Sequence, residues 1–230
     1  MPGKLIKYGS TADAPGSYQL KGGLEGIAGP GRRVVTQLDA IDALTADNSP
    51  DGLAPLRSFT DLRYLSVRGL DGLNASDLGE LPLHHLQIAA ARDADLQFLD
   101  SGPYPSESVA LGGLTAPILP DQLRLPTTLT GLYIEFIMDA DGNCLLDDVL
   151  ARIDWSRLGA LERFSVASKS PGRLPRFEVS QLTRFPNLKR FAGSSVIAVH
   201  NGEPVLPPFP GQPRGLKEIV GFHALRQQLA

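Results

Sequence analysis

Oxygen-bearing side chains alternate between Asp139 and Asn143, in the order Asp-Ala-Asp-Gly-Asn. Calcium takes roughly six to eight oxygen ligands, and such alternation is typical of the start of a twelve-residue calcium loop. That loop needs a glycine at its sixth position and a bidentate acid at its twelfth. Cys144 and Leu150 stand there instead. We therefore expect a polar turn before a helix, with no bound calcium, no other metal and no cofactor.

Side chains that serve as nucleophiles, bases or zinc ligands are few and scattered. His84 and His85 are adjacent, and alternation along a strand would send their side chains to opposite faces, away from a shared metal. Cys144 has no histidine near it in the sequence, and neither Gly-x-Ser-x-Gly nor a phosphate-loop pattern occurs. These observations predict a protein that is not an enzyme. An enzyme of unknown class stays an alternative, which titratable residues converging in one pocket would favour.

The composition limits the kind of partner. Of 230 residues, 42% are hydrophobic and 20% are charged, and the net charge is −3. No basic run marks a surface for nucleic acid or for an anionic membrane. No apolar signal segment opens the chain, and Cys144 is the only cysteine, so an internal disulfide is impossible. We expect a cytoplasmic protein of bacterial composition that is a monomer when free, without nucleic-acid or membrane partners.

A short phrase with apolar residues at its first, fourth and sixth positions recurs along the chain. The clear copies are Leu62/Leu65/Val67, Leu83/Leu86/Ile88, Leu129/Leu132/Ile134 and Leu161/Phe164/Val166. Weaker copies are Val35/Leu38/Ala40, Ser106/Val109/Leu111, Leu188/Phe191/Gly193 and Leu216/Ile219/Gly221. Each phrase predicts a short strand with one buried and one exposed face. A single strand cannot bury its apolar side alone, so the strands are expected to stack on one another.

These phrases resemble the strand segment of the leucine-rich repeat family, whose unit is about 20–29 residues long. The resemblance covers residues 35–221. It implies an α/β solenoid with a curved, mostly parallel sheet of short strands, with loops and short helices on the convex side. We expect residues 1–34 to form a loop-rich amino-terminal cap and residues 35–230 to form the solenoid with its carboxyl-terminal cap, in one structural domain.

The chain departs from the family at one position. The asparagine expected three positions after the third apolar residue is replaced in every repeat, for example by Ala91, Leu114 and Ile137. That asparagine normally hydrogen-bonds loop backbone inside the solenoid, and buried backbone groups need partners. Another source of hydrogen bonds is therefore required between the repeats.

Other segments carry local signals. Leu146, Val149, Leu150 and Ile153 recur at helical spacing and predict a helix over residues 145–158. Lys4–Tyr8 and Tyr18–Lys21 are predicted short strands, and Leu216–Leu229 is expected to supply a last strand and a capping helix. The proline-rich segment 203–213 cannot be helical, and it is either a packed connector or a docking ligand.

The exposed side chains of the stacked strands are the strongest functional signal. Repeat solenoids bind partners on an extended concave sheet, and tyrosine and arginine are common anchors of interfaces. The predicted binding residues are Tyr64, Arg68, His85, Gln87, Tyr133, Glu135, Arg163 and Arg190. We expect a non-enzymatic module that binds a protein partner of unknown identity. The alternative is a bacterial immunity or inhibitor protein that neutralises a cognate toxin.

Overall fold

The computed structural model describes residues 83–100, 105–168 and 174–222, together with the backbone of four earlier strands. Those four strands are β1 (Lys4–Tyr8), β2 (Ser17–Lys21), β3 (Ala43–Asp47) and β4 (Tyr64–Arg68). Strands β1 and β2 confirm the short strands predicted near the amino terminus. The capping helix expected within Leu216–Leu229 lies largely outside the described residues, as do His223 and the loops among the first four strands.

The fold is mixed α/β, with a mostly parallel sheet and few helices. Ten strands follow one another in the order β1-β2-β3-β4-β5-β6-β7-β8-β10-β13. The first pair is antiparallel and every later pair is parallel. Six of the ten lie in the fully described part: β5 (His85–Ala89), β6 (Ser108–Gly112), β7 (Gly131–Glu135), β8 (Arg163–Ala167), β10 (Arg190–Ser194) and β13 (Glu218–Val220).

Those connections between strands that the structure describes carry little regular structure. The helix α1 (Leu146–Arg152) follows β7 within the predicted range 145–158, but it ends before Ile153. Short 3-10 helices occupy Gln97–Asp100, Trp155–Arg157 and Val179–Arg184. A side sheet joins β9 (Arg176–Glu178), β11 (Ile197–His200) and β12 (Glu203–Pro204). In the described part of the chain, no helix has the length and apolar character that a membrane crossing requires.

The register aligns the fourth positions of the phrases into one buried row. Leu65, Leu86, Val109, Leu132, Phe164 and Phe191 lie opposite one another on successive strands, each at most 2% exposed. This confirms the predicted stacking of Leu65, Leu86, Leu132 and Phe164. The phrase Val35/Leu38/Ala40 was wrong for the strand beside β4, because Leu44 on β3 is the residue that lies opposite Leu65. Weak apolar spacing near Leu38 matched the template by chance.

Backbone hydrogen bonds satisfy loop carbonyl groups at positions where the resemblance implied an asparagine. At three of its expected positions stand Ala91, Leu114 and Ile137, which are all buried. Their carbonyl groups accept hydrogen bonds from the N–H groups of Thr115, Met138 and Leu145, each at 2.9 Å. The loops therefore continue the pairing of the strands beyond the sheet, and buried backbone is satisfied without a side-chain amide.

Five of the six main-sheet strands in the fully described part of the chain are followed by a residue in the left-handed conformation. Ala90, Gly113, Phe136, Ser195 and Gly221 come directly after β5, β6, β7, β10 and β13, and all have a positive φ between 51° and 89°. Only glycine adopts this left-handed conformation without steric cost. The chain therefore leaves these five strands with the same local turn.

Candidate partner-binding face

The outward face of the sheet is formed by the first, third and fifth residues of each strand, because side chains alternate along a strand. The first row contains Tyr64, His85, Ser108, Gly131, Arg163 and Arg190. The third row contains Gln87, Ala110 and Tyr133, and the fifth contains Arg68, Gly112 and Glu135. All eight predicted binding residues therefore occupy outward strand positions. The side chains of Tyr64 and Arg68 lie outside the described residues.

A depression crosses this face along β6, and we call it the β6 groove. Its floor is made by the small residues Ser108, Ala110 and Gly112. His85 and Gln87 line it on the β5 side, and Tyr133, Glu135 and Arg163 line it on the other side; its volume is about 420 Å³. This volume lies within the range of about 300–1,000 Å³ that is common for binding pockets. The groove exists because β6 presents no large side chain outward.

Gly131 shapes the wall of the groove on the β7 side. A Cβ atom at Gly131 would lie 3.2 Å from Cε2 of Tyr133 and 3.1 Å from Cβ of Ser108. The phenol ring of Tyr133 therefore leans over Gly131 toward Ser108, and a larger residue would push it away. A second depression of about 330 Å³ begins on the far side of this wall and shares Tyr133, Glu135 and Arg163 with the groove.

Two histidines and a glutamate meet at the amino end of β5 and β6. Nδ1 of His84 lies 2.9 Å from Oε1 of Glu107, and Nε2 of His85 lies 3.4 Å from Oε2 of the same carboxylate. His85 also shares a hydrogen bond of 2.8 Å with the hydroxyl of Ser108. The prediction that His84 and His85 point apart was wrong, because the strand begins only at His85. Among the described residues, no group of histidine, cysteine and acidic side chains is arranged to hold a metal ion.

Two arginine residues lie next to each other on the outward face of β8 and β10. Arg163 and Arg190 lie directly opposite each other on neighbouring strands. Arg190 forms an ion pair of 3.6 Å with Glu218, and Lys189 forms one of 2.6 Å with Glu162. None of the ion pairs found within the described ranges includes Arg163.

The polar loop from Asp139 to Asn143 is held together by hydrogen bonds among its own residues. The Asp139 carboxylate accepts hydrogen bonds from the backbone of Asp141 and Asn143 and from the Asn143 amide, at 2.8–2.9 Å. The Asn143 side chain is the main cause that lowers the pKa of Asp139 below its ordinary value of 3.8. Both carboxylate oxygens are thus engaged within the loop itself, as in an ordinary Asx turn.

Two other candidates serve packing. The thiol of Cys144 accepts hydrogen bonds from the backbone of Leu146 and from the buried hydroxyl of Ser168. In the proline-rich segment, Phe209 is buried in the core, and its N–H donates to the Gln212 side chain at 2.9 Å. These contacts favour the packed-connector interpretation of residues 203–213.

Comparison of the chain with protein-family models, with curated proteins and with solved structures finds no match. Function is therefore inferred from the residues of the outward face. Sequence reasoning missed Glu107, which joins both histidines, and the floor residues of the groove. A signal for the floor was present in Ser-Val-Ala-Leu-Gly, where small residues alternate with the buried Val109 and Leu111.

Proposed function

We propose that this chain is a non-enzymatic protein-binding module, built as a leucine-rich-repeat-like solenoid, that holds its partner on the outward face of the sheet. One observation carries the proposal. The register gathers His85, Tyr133 and Arg163, which are far apart in the sequence, around a single groove. Such a site depends on the stacking of the strands and is not a local motif.

The residues around the groove support binding of a protein. Tyr133 offers an aromatic ring and Arg163 a guanidinium, and both types are enriched among the residues that contribute most to protein interfaces. The floor of Ser108, Ala110 and Gly112 leaves room for side chains of another molecule. A recess of this kind between strong anchors is typical of the centre of an interface.

The proposal is tested by capturing the partner at the groove and then removing the anchors. A photo-crosslinking amino acid at Gln87 should capture the partner in the native host, whereas the same probe at the exposed Arg184 should not. The captured protein is then purified and its affinity measured by calorimetry. The double variant Tyr133→Ala with Arg163→Ala should lose about 2 kcal/mol or more of binding free energy.

The control is Arg184→Ala, which removes an exposed arginine on the 3-10 helix Val179–Arg184 and should leave the affinity unchanged. The melting temperature of each variant shows whether folding is preserved. Full affinity in the double variant would place the binding surface elsewhere on the molecule and would contradict the proposal.

A further inference from the structure

The two charged residues that line the β6 groove lie at opposite ends of it. Arg163 occupies the first position of β8, and Glu135 occupies the fifth position of β7. Because Gly131 lies opposite Arg163, four residues of β7 separate the two charges along the strand direction. At about 3.3 Å per residue, their backbone positions are about 13 Å apart. On the β7 and β8 side, the groove therefore has Arg163 at its positive end and Glu135 at its negative end, while Glu107 lies on the β5 side with His84 and His85.

The positive end carries a charge that the described residues do not neutralise. Like charges directly opposite on neighbouring strands are destabilising, and Arg163 lies opposite Arg190. Glu218 compensates Arg190, but no ion pair of the described residues includes Arg163. The exposed guanidinium of Arg163 is thus left for a carboxylate from outside, with the Tyr133 ring at the same wall of the groove.

At the other end of the groove, the described residues do not neutralise the charge of Glu135 either. One oxygen of the Glu135 carboxylate accepts a hydrogen bond of 3.0 Å from the Ser165 hydroxyl. This neutral donor fixes the orientation of the carboxylate and does not neutralise its charge. In the described ranges, no lysine or arginine forms an ion pair with Glu135. A basic side chain from outside would complete this end.

The width of the groove suits one extended polypeptide segment. Strands β5 and β7 flank β6, so the two walls stand about two strand spacings apart, or about 9.6 Å. The line from Arg163 on β8 to Glu135 on β7 runs within about 20° of the direction of β6, because it crosses only one strand spacing over its length. In an extended chain, residues four positions apart are separated by about 13 Å, which matches the separation of the Arg163 and Glu135 backbone positions along the strands.

We propose that the partner lays one extended segment along the β6 groove, with an acidic side chain at Arg163 and a basic side chain four residues away at Glu135. This inference rests on the proposed function and specifies the chemistry of the partner. A nucleic acid fits less well, because its run of phosphates would meet the Glu135 carboxylate as well as Arg163. Opposite charges at fixed spacing select against both polyanions and polycations.

The test uses blocked synthetic pentapeptides that favour an extended chain. The probe Asp-Val-Thr-Val-Lys is compared with Asp-Val-Thr-Val-Asp, with the neutral Asn-Val-Thr-Val-Gln and with a ten-nucleotide oligothymidylate, by nuclear magnetic resonance titration of the intact protein. The Asp/Lys peptide should bind about tenfold tighter than the neutral peptide, the gain expected from a charge-assisted hydrogen bond. Arg163→Gln should abolish this preference, and Arg184→Gln should preserve it.

Reversal of the negative end gives a result that loss of structure would not produce. The variant Glu135→Lys should prefer the Asp/Asp peptide over the Asp/Lys peptide. The milder variant Glu135→Gln retains an acceptor for Ser165 and should bind both peptides equally. An unchanged preference in Glu135→Lys would overturn the inference even if the wild-type protein binds the Asp/Lys peptide.

Failure of this inference is distinguishable from failure of the proposed function. If no peptide preference is found but the captured partner still requires Tyr133 and Arg163, the groove binds protein by other chemistry, and only the inference is overturned. If the oligothymidylate binds tightest and requires Arg163, the face binds polyanions, and the inference is also overturned. If the captured partner binds the double variant with full affinity, the proposed function itself fails.

Discussion

Two regions of the molecule fill the buried row of the sheet with different side chains, one with aliphatic residues and the other with aromatic rings. In the aliphatic region, residues 83–153, the buried row consists of Leu86, Val109 and Leu132, and β5, β6 and β7 begin 23 residues apart. In the aromatic region, residues 155–222, the row continues with Phe164 and Phe191, and the units are longer. The rings of Phe164 and Phe191 stack at 5.4 Å with an interplanar angle of 11°.

The connections of the two regions differ as well. Regular units of 23 residues keep neighbouring loops in register, as the backbone bonds from Thr115 and Met138 show. The longer connections insert the side sheet and the 3-10 helix Val179–Arg184. A wider unit encloses more volume, and interiors must be filled to near-crystalline density. Phenylalanine rings supply that volume in the units that begin at β8 and β10, whereas aliphatic residues of α1 supply it in the unit that begins at β7.

The largest expected effect is in the aromatic region. Phe191 touches the rings of Phe164, Phe177, Phe209 and Phe222, at centroid distances of 5.0–6.1 Å. Phe191→Ala should lower the free energy of unfolding by about 3–5 kcal/mol, because it leaves a large cavity among rigid rings. Urea denaturation measures the loss. Phe222→Ala and the double variant complete a cycle, in which the contacting pair should be coupled by about 0.5–3 kcal/mol.

The aliphatic region should lose somewhat less at the equivalent position. Leu132 is fully buried in the same row. Leu132→Ala should cost about 2–5 kcal/mol, as for buried leucines in general. Denaturation of this variant beside Phe191→Ala compares the two regions directly. A loss below about 1 kcal/mol would show that Leu132 is not a core residue of the stack.

Milder variants test whether the strands of the aliphatic region contribute independently to the free energy of unfolding. Ile88 and Ile134 are buried on β5 and β7, and Leu111 of β6 lies between them. Each change to valine should cost about 0.5–1.5 kcal/mol, and the two costs should add within about 0.5 kcal/mol. Coupling as large as that between Phe191 and Phe222 would remove the distinction between the regions.

An intermediate loss of stability is expected at Gly193, where the Phe222 ring packs closely against β10. At Gly193 a Cβ atom would lie 2.2 Å from the Phe222 ring, so this glycine is required for the close approach of the ring. Gly193→Ala should destabilise by about 1–3 kcal/mol through overpacking. Gly159→Ala is the matched control, since nothing lies within 4 Å of a Cβ atom there. A thermal melt of the two variants should show a lower melting temperature for Gly193→Ala alone.

Gly193 also shows what the sequence could and could not predict. The spacing of Leu132 and Phe164 was enough to predict the buried row, because period-two alternation and repeat length act locally. The phrase ending at Gly193 looked degenerate, since the third apolar side chain was missing. Phe222 fills that space from the next unit, and such a tertiary contact leaves no local pattern. The left-handed turns at Ala90 and Phe136 were hidden for the same reason.

Some features of the candidate site were likewise predictable from the sequence and others were not. Tyr133, Glu135 and Arg163 were placed on the outward face by alternation alone, and the structure brings them to one groove. The groove itself depends on the small residues of β6 beside larger neighbours, which only the register reveals. Glu107 precedes its strand, where alternation gives no direction, so its contacts with His84 and His85 were not predictable.

The smallest effect is expected in the aliphatic region, in the loop that follows β7. Hydrogen bonds from Asn143 hold the pKa of Asp139 below its ordinary value of 3.8. A carboxyl group with a lowered folded-state pKa stabilises the fold above its unfolded-state pKa, and this contribution is lost as the pH falls through the folded-state pKa. Asp139→Asn should therefore melt at a lower temperature than wild type at pH 7, and the difference should shrink as the pH falls below about 4. Asn143→Ala removes the main donor and should show the same pH dependence. A difference that stays constant down to pH 3 would mean that the Asp139 carboxylate gains nothing from this loop, and the structural role assigned to it would be wrong.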